Sequence, residues 1–131
     1  MSWNLSKQEF DSVLSLSGEE RYSYFIKKVT DWEEVWSLRN QDGWVLAADP
    51  SGHEVVPVWP HERFAQACAE GSWKGCDPVV IKLGEWMKRW IPGMVKDGRQ
   101  VAIFPTPHDK GVVLHPGRLH NDLCDECEQY D

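Results

Sequence analysis

His120, Cys124 and Cys127 carry the most specific chemical spacing in the chain. At 3.6 residues per turn, positions i, i+4 and i+7 share one flank of a helix. Thiolate sulfur and neutral imidazole are donors that Zn²⁺ takes, and His115, at the entrance to the same segment, offers a fourth. Cys124-x-x-Cys127 also has the form of a redox dithiol. Two features oppose both uses. Structural zinc sites usually draw on separate chain segments, whereas three of these donors sit on one helix. Asp122, Asp125, Glu126 and Glu128 crowd the thiols, and like charge raises a thiol pKa and opposes the thiolate. The plainer reading makes Leu119, Leu123, Cys127 and Tyr130 a buried stripe with His120 and Cys124 at its border. It is the expected one, so no metal and no cofactor is expected.

Other chemistries find less. His61 precedes Cys68 by seven residues, two helical turns, too far for a direct hydrogen bond. No G-x-S-x-G, H-E-x-x-H or paired-carboxylate motif occurs. Gly71-Ser72-Trp73-Lys74-Gly75 has glycines without the phosphate-loop spacing. The reading leans away from an enzyme.

The tryptophans are the composition's anomaly: eight, against three tyrosines and four phenylalanines. Trp is large, amphipathic and enriched at interaction hot spots. Trp59 closes a strand and Trp73 lies in a glycine-flanked loop, poor places to hide an indole, so both are expected at the surface. With Pro60 and His61 they form the expected contact surface of a non-catalytic binding or regulatory protein. Lys82, Lys88, Arg89, Lys96 and Arg99 form a basic neighbourhood beside Trp86 and Trp90. Helical spacing puts these indoles on the Leu83 stripe and Lys88 and Arg89 elsewhere, as core and solvated face.

These residues need elements to hold them. Phe10, Val13 and Leu14 mark a first helix, over residues 5–16. Ser17 and Glu20 match a capping box ahead of a second, with Tyr22, Phe25, Ile26 and Val29 as its apolar stripe. EVWSLRN, WVLAADP and EVVPVW read as a three-stranded antiparallel meander, separated by turn-forming residues. Pro57 cannot donate to a ladder, so its strand is at an edge there or its nitrogen points outward. PHERFAQACAEG is a helix with Pro60 in its first turn and Gly71 at its stop. Val79-Val80-Ile81 is briefly extended, and LGEWMKRWIPGMVKDG is helical with a break or kink near Pro92. QVAIFP and GVVLHP form a hairpin around Thr106–Lys110, and GRLHNDLCDECEQY is the closing helix. The expectation is one α+β domain, residues 1–131, with a mainly antiparallel sheet of about five strands covered by four or five helices.

RYSYFIKKVTDWEEVWSL, DGWVLAADPSGHEVVPVWPHERFAQACA, EWMKRWIPGM and VAIFPTPHDKGVVLHPGRLHNDL together resemble the small bacterial proteins grouped as domain-of-unknown-function 2750. The resemblance spans nearly the whole chain in order, and VPVWPH followed by a helix is its most specific piece. It implies a stand-alone cytoplasmic protein and supplies no catalytic or ligand residue. The order of three strands and a helix, with its Pro-Val-aromatic strand end, is also similar to domains of the enhanced-serine-sensitivity type, as fold analogy only.

A net charge of −7 lacks the basic field of a nucleic-acid binder and disfavours anionic membrane surfaces. The opening segment MSWNLSKQEF has no signal-peptide apolar run, so the expected compartment is the cytoplasm, with reduced thiols. The expected partner is a protein or a small molecule, not nucleic acid or membrane, and the expected state a monomer or homodimer.

Overall fold

The computed structural model describes residues 3–48 and 51–128. Helix α1, Lys7–Leu14, starts where the Ser6 hydroxyl accepts the Glu9 N–H. Helix α2, Gly18–Trp32, starts on the capping box read from sequence: Ser17 and Glu20 satisfy each other's backbone N–H groups. Phe25, Ile26 and Val29 are buried along one stripe, with Tyr22 beside them. The α2 helix stops at Glu33, whose N–H makes the last helical bond, to the Val29 carbonyl, and whose left-handed φ of 57° turns the chain out of the helix.

Strand β1, Glu34–Asn40, turns through Gln41 and Asp42 into β2, Gly43–Trp44. Strand β3, Ala47–Ala48, then pairs with β4, Glu54–Val58. The expected three-stranded meander is therefore corrected. WVLAADP is not one strand but two short ones, serving different sheets on either side of Val45 and Leu46. Val45 is buried and donates to the Leu38 carbonyl at 3.1 Å, which pins the crossing point.

Helix α3, Glu62–Ala67, precedes a 3₁₀ turn, Gly71–Trp73, and strand β5, Asp77–Lys82. Sequence showed β5 only as a brief extended segment, yet it is the long antiparallel partner of β1, from Glu34 against Lys82 to Arg39 against Asp77. Helix α4, Leu83–Glu85, runs through a π-helical segment, Trp86–Trp90, into α5, Ile91–Asp97. Of the break or kink expected near Pro92, the break is absent, since the helical segments run on without interruption. Pro92 lacks the N–H for a normal helical bond, and the Ile91 N–H reaches the Trp86 carbonyl five residues back, widening the helix instead. Strands β6, Gln100–Ile103, and β7, Val112–Leu114, form the expected hairpin, and α6, Pro116–Glu128, closes the described chain.

The result is an α+β fold with two mostly antiparallel sheets, ordered β2-β1-β5 and β3-β4-β6-β7. The β4–β6 pairing is parallel, because α3, β5 and the long helix intervene. A bridge between Trp36 and Trp59, two hydrogen bonds of 2.8 Å each, joins the sheets. Pro57 sits where the ladder can spare a donor. Phe104 N–H donates to the Val58 carbonyl, so the Pro57 nitrogen points away from β6. The Pro57 carbonyl, on that same side, accepts the buried Ser37 hydroxyl at 2.8 Å.

The two faces of the four-stranded sheet have different fates. Val56, Val58, Val101 and Ile103 join the hydrophobic core with α2, α5 and α6. Val55, Pro57 and Ala102 alternate with them and point to the opposite face. In α6, Leu119 and Leu123 are fully buried, Cys127 partly so, and Tyr130 lies outside the described residues. The Tyr22 hydroxyl donates to the Asp122 carboxylate, tying α2 to α6. Among the described residues, no helix is long and apolar enough to cross a membrane.

A candidate binding cleft on the outer sheet face

The outward face of β3-β4-β6-β7 floors a cleft of about 340 Å³. Ala47, Val55, Pro57, Ala102 and Val113 supply the floor, all small or compact side chains that leave it flat. Trp73, Cys68 and Glu70 line one part of its wall, and Pro105, Thr106, Pro107, Asp109 and Lys110 another, the two meeting where Cys68 approaches the Pro105 carbonyl. The second wall is the β6–β7 connection, residues 104–111.

This connection is heavily determined for its length. Phe104 is fully buried with a φ of +57°, a conformation that costs a non-glycine residue about 1–2 kcal/mol. Thr106 and Asp109 pair through their backbones at 2.8 and 3.2 Å, and the Thr106 hydroxyl accepts the His108 N–H. The Asp109 carboxylate accepts the Gly111 N–H at 2.8 Å and meets the Arg21 guanidinium at 2.8 Å. Arg21 is only 3% exposed and also donates to the carbonyls of Phe104, at 3.3 Å, and Leu16, at 2.6 Å. The Gly111 hydrogen bond and the Arg21 guanidinium hold the Asp109 carboxyl below the usual carboxylate range.

Of the expected contact residues, Trp73 alone faces this cleft, half-buried and edge-to-face with Trp59 at 6.2 Å. The expected exposure of Trp59 is corrected. Its ring has no accessible surface, and its indole N–H donates to the Pro105 carbonyl at 2.8 Å. A strand end hides an indole here because Trp73 and the 104–111 connection fold over it. Pro60 and His61 are buried as well. His61, not Pro60, opens helix α3: its Nδ1 accepts the Arg63 N–H at 3.1 Å. Its Nε2 lies 2.9 Å from the Trp3 carbonyl, which only accepts, so the proton sits on Nε2. Both ring nitrogens are thus engaged within the fold. Trp3 packs against Trp32 at 5.9 Å and His61 at 4.7 Å.

Cys68 is the one thiol of the cleft wall. It donates to the same Pro105 carbonyl at 3.3 Å. Burial pushes its pKa up; the Trp59 hydrogen bond lowers it and the Glu70 charge raises it, leaving it at about 11. No histidine lines the cleft to act as its base. Cys68 is therefore a neutral, buried thiol. At pH 8 its thiolate fraction is roughly a hundredfold below that of an ordinary cysteine. Iodoacetamide labelling of the native protein, followed by mass spectrometry, is expected to modify Cys68 at least that much more slowly than the unfolded chain. Labelling at the unfolded rate contradicts this picture.

The C-terminal donors do not assemble. Cys124 Sγ lies 3.8 Å from His120 Nδ1, while His115 Nδ1 accepts the Gly117 N–H at 2.9 Å at the start of α6. Among the described residues, no group of three or more His, Cys, Asp or Glu is placed to hold a metal ion.

Sequence reasoning missed the floor residues and the 104–111 wall. The available signal was the proline, aspartate and glycine content of FPTPHDKG, which marked a loop without showing what it roofs.

No curated protein and no solved structure matches the chain. The family described as protein of unknown function (DUF2750) matches residues 22–123, which include most of α2, both sheets and most of α6. The chain belongs to that family.

Proposed function

We propose that this is a non-catalytic binding or regulatory protein of the bacterial cytosol, whose ligand is a small molecule with an apolar body. The binding site is the cleft on the outer sheet face. The observation that carries this reading is the pairing of a flat apolar floor with a strained, stapled wall. Strain of this kind persists only where the surroundings over-determine it, and it concentrates at sites that hold ligands. The volume of about 340 Å³ falls within the range of small-molecule sites. Glu70 and Lys110, both lining the cleft, make no ion pair among the described residues and are available to orient a polar end. Trp73 supplies an aromatic flank.

The test is a fragment titration read by ¹⁵N NMR of the indole N–H groups. Apolar fragments are expected to shift the Trp73 resonance saturably. Val113→Trp, at an exposed position of the floor, is expected to weaken binding at least tenfold while leaving the melting temperature within about 2 °C. If Val113→Trp leaves binding unchanged, or no fragment moves Trp73, the reading fails.

A further inference from the structure

A second site lies on the other side of the molecule, where β2, the β2–β3 link and α5 meet. There Trp44 and Trp90 stand edge-to-face with ring centres 4.7 Å apart. Both are half-buried and border a groove of about 400 Å³ whose base includes Met94. Trp90 in turn stacks on the fully buried Trp86 at 5.6 Å, so this indole pair is anchored in the core. Separation of indoles from cations along the long helix holds for Trp86 but not for Trp90. The π-helical segment Trp86–Trp90 places Arg89 and Trp90 on the same groove.

The charges there are unevenly spent. Arg99 is taken up by Glu54 at 3.3 Å and by Asp97, the groove's own carboxylate, at 3.4 Å. Arg89 makes no ion pair among the described residues, and the Arg39 guanidinium sits over the Trp44 ring at 5.5 Å. In a chain of net charge −7, guanidinium groups that flank two indoles and have no ion pair among the described residues are a local inversion of sign. Indole faces take flat rings, and a guanidinium pairs bidentately with a carboxylate. We infer that this groove binds a planar aromatic carboxylate, its ring against Trp44 and Trp90 and its carboxylate on Arg89.

The probe is naphthalene-2-carboxylate, with naphthalene-2-carboxamide as its uncharged counterpart, read by the Trp44 and Trp90 indole N–H resonances. The carboxylate is expected to shift both resonances saturably and to bind about tenfold more tightly than the carboxamide. Arg89→Gln, at an exposed position, is expected to remove that tenfold preference. Equal binding of the two probes overturns the inference, as does an unchanged preference in Arg89→Gln. Shifts confined to Trp73 place the probe in the other cleft and overturn it equally.

Discussion

Replacing Arg21 with methionine is expected to destabilise the protein by about 3 kcal/mol, a large share of the stability of a domain this size. Methionine fills much of the same space, so the loss is not mainly one of packing. It strands the carbonyls of Leu16 and Phe104, which accept from the buried guanidinium at 2.6 and 3.3 Å. An orphaned buried acceptor costs about 1–3 kcal/mol. Asp109 adds little, since it is 47% exposed and water solvates it once Arg21 is gone. Urea unfolding of the wild type and Arg21→Met measures the difference, and a loss below about 1 kcal/mol contradicts the assigned role.

The same contact sets a pH dependence with a definite sign. The folded Asp109 carboxyl titrates below its unfolded value of about 3.9. Its contribution to stability is therefore complete above that value and is lost as the pH falls through the folded one. Removing Arg21 weakens this acid-side dependence without abolishing it, because the Gly111 N–H also binds the carboxylate.

Gly111→Ala is expected to cost about 3 kcal/mol, and Gly52→Ala only about 1. The two glycines have nearly the same backbone, with φ of +81° and +87°, so the dihedral penalty is shared. Their surroundings differ. A β-carbon on Gly52 meets nothing within 4 Å, whereas one on Gly111 falls 2.6 Å from the Ile103 carbonyl oxygen and 2.8 Å from the Pro105 nitrogen. Both are backbone atoms, which cannot swing aside as a side chain can. The clash pushes the 104–111 connection away from the sheet, so the variant is also expected to lose the cleft. Thermal melts of both variants give the comparison, and equal losses show that no close approach exists at Gly111.

Sequence reveals what local chemistry decides. The Ser17–Glu20 box, the Phe25–Ile26–Val29 stripe and the hairpin around Thr106–Lys110 each depend on residues close in the chain, and each stands as read. Pairing between distant segments was hidden. Nothing local in DPVVIK distinguishes a brief extension from the full partner of β1, and nothing in WVLAADP shows that its halves serve different sheets. The π-helical passage at Trp86–Trp90 was hidden for a related reason, since a missing proline N–H permits either a break or a widened turn.

The candidate site was less legible than the fold. Trp73 was identified because its loop is glycine-flanked and short of cover. Trp59 was misplaced because the wall that seals it comes from residues 104–111, where Pro105, the acceptor of its indole N–H, lies 46 positions downstream of it. His61 was misplaced because a capping histidine and a binding histidine look alike until the Arg63 N–H is seen pointing at the ring. Ala47, Pro57 and Ala102 gave no signal at all, since small residues become a floor only once three strands lie side by side.

The central claim is that the cleft between the outer sheet face and the 104–111 connection holds a small apolar ligand. The most direct measurement is a crystal structure of the wild-type protein soaked with the tightest fragment from the NMR titration. The account predicts density lying on Ala102 and Pro57, flanked by Trp73, with any polar end toward Glu70 or Lys110. Density elsewhere on the molecule, with this cleft filled only by water, contradicts it.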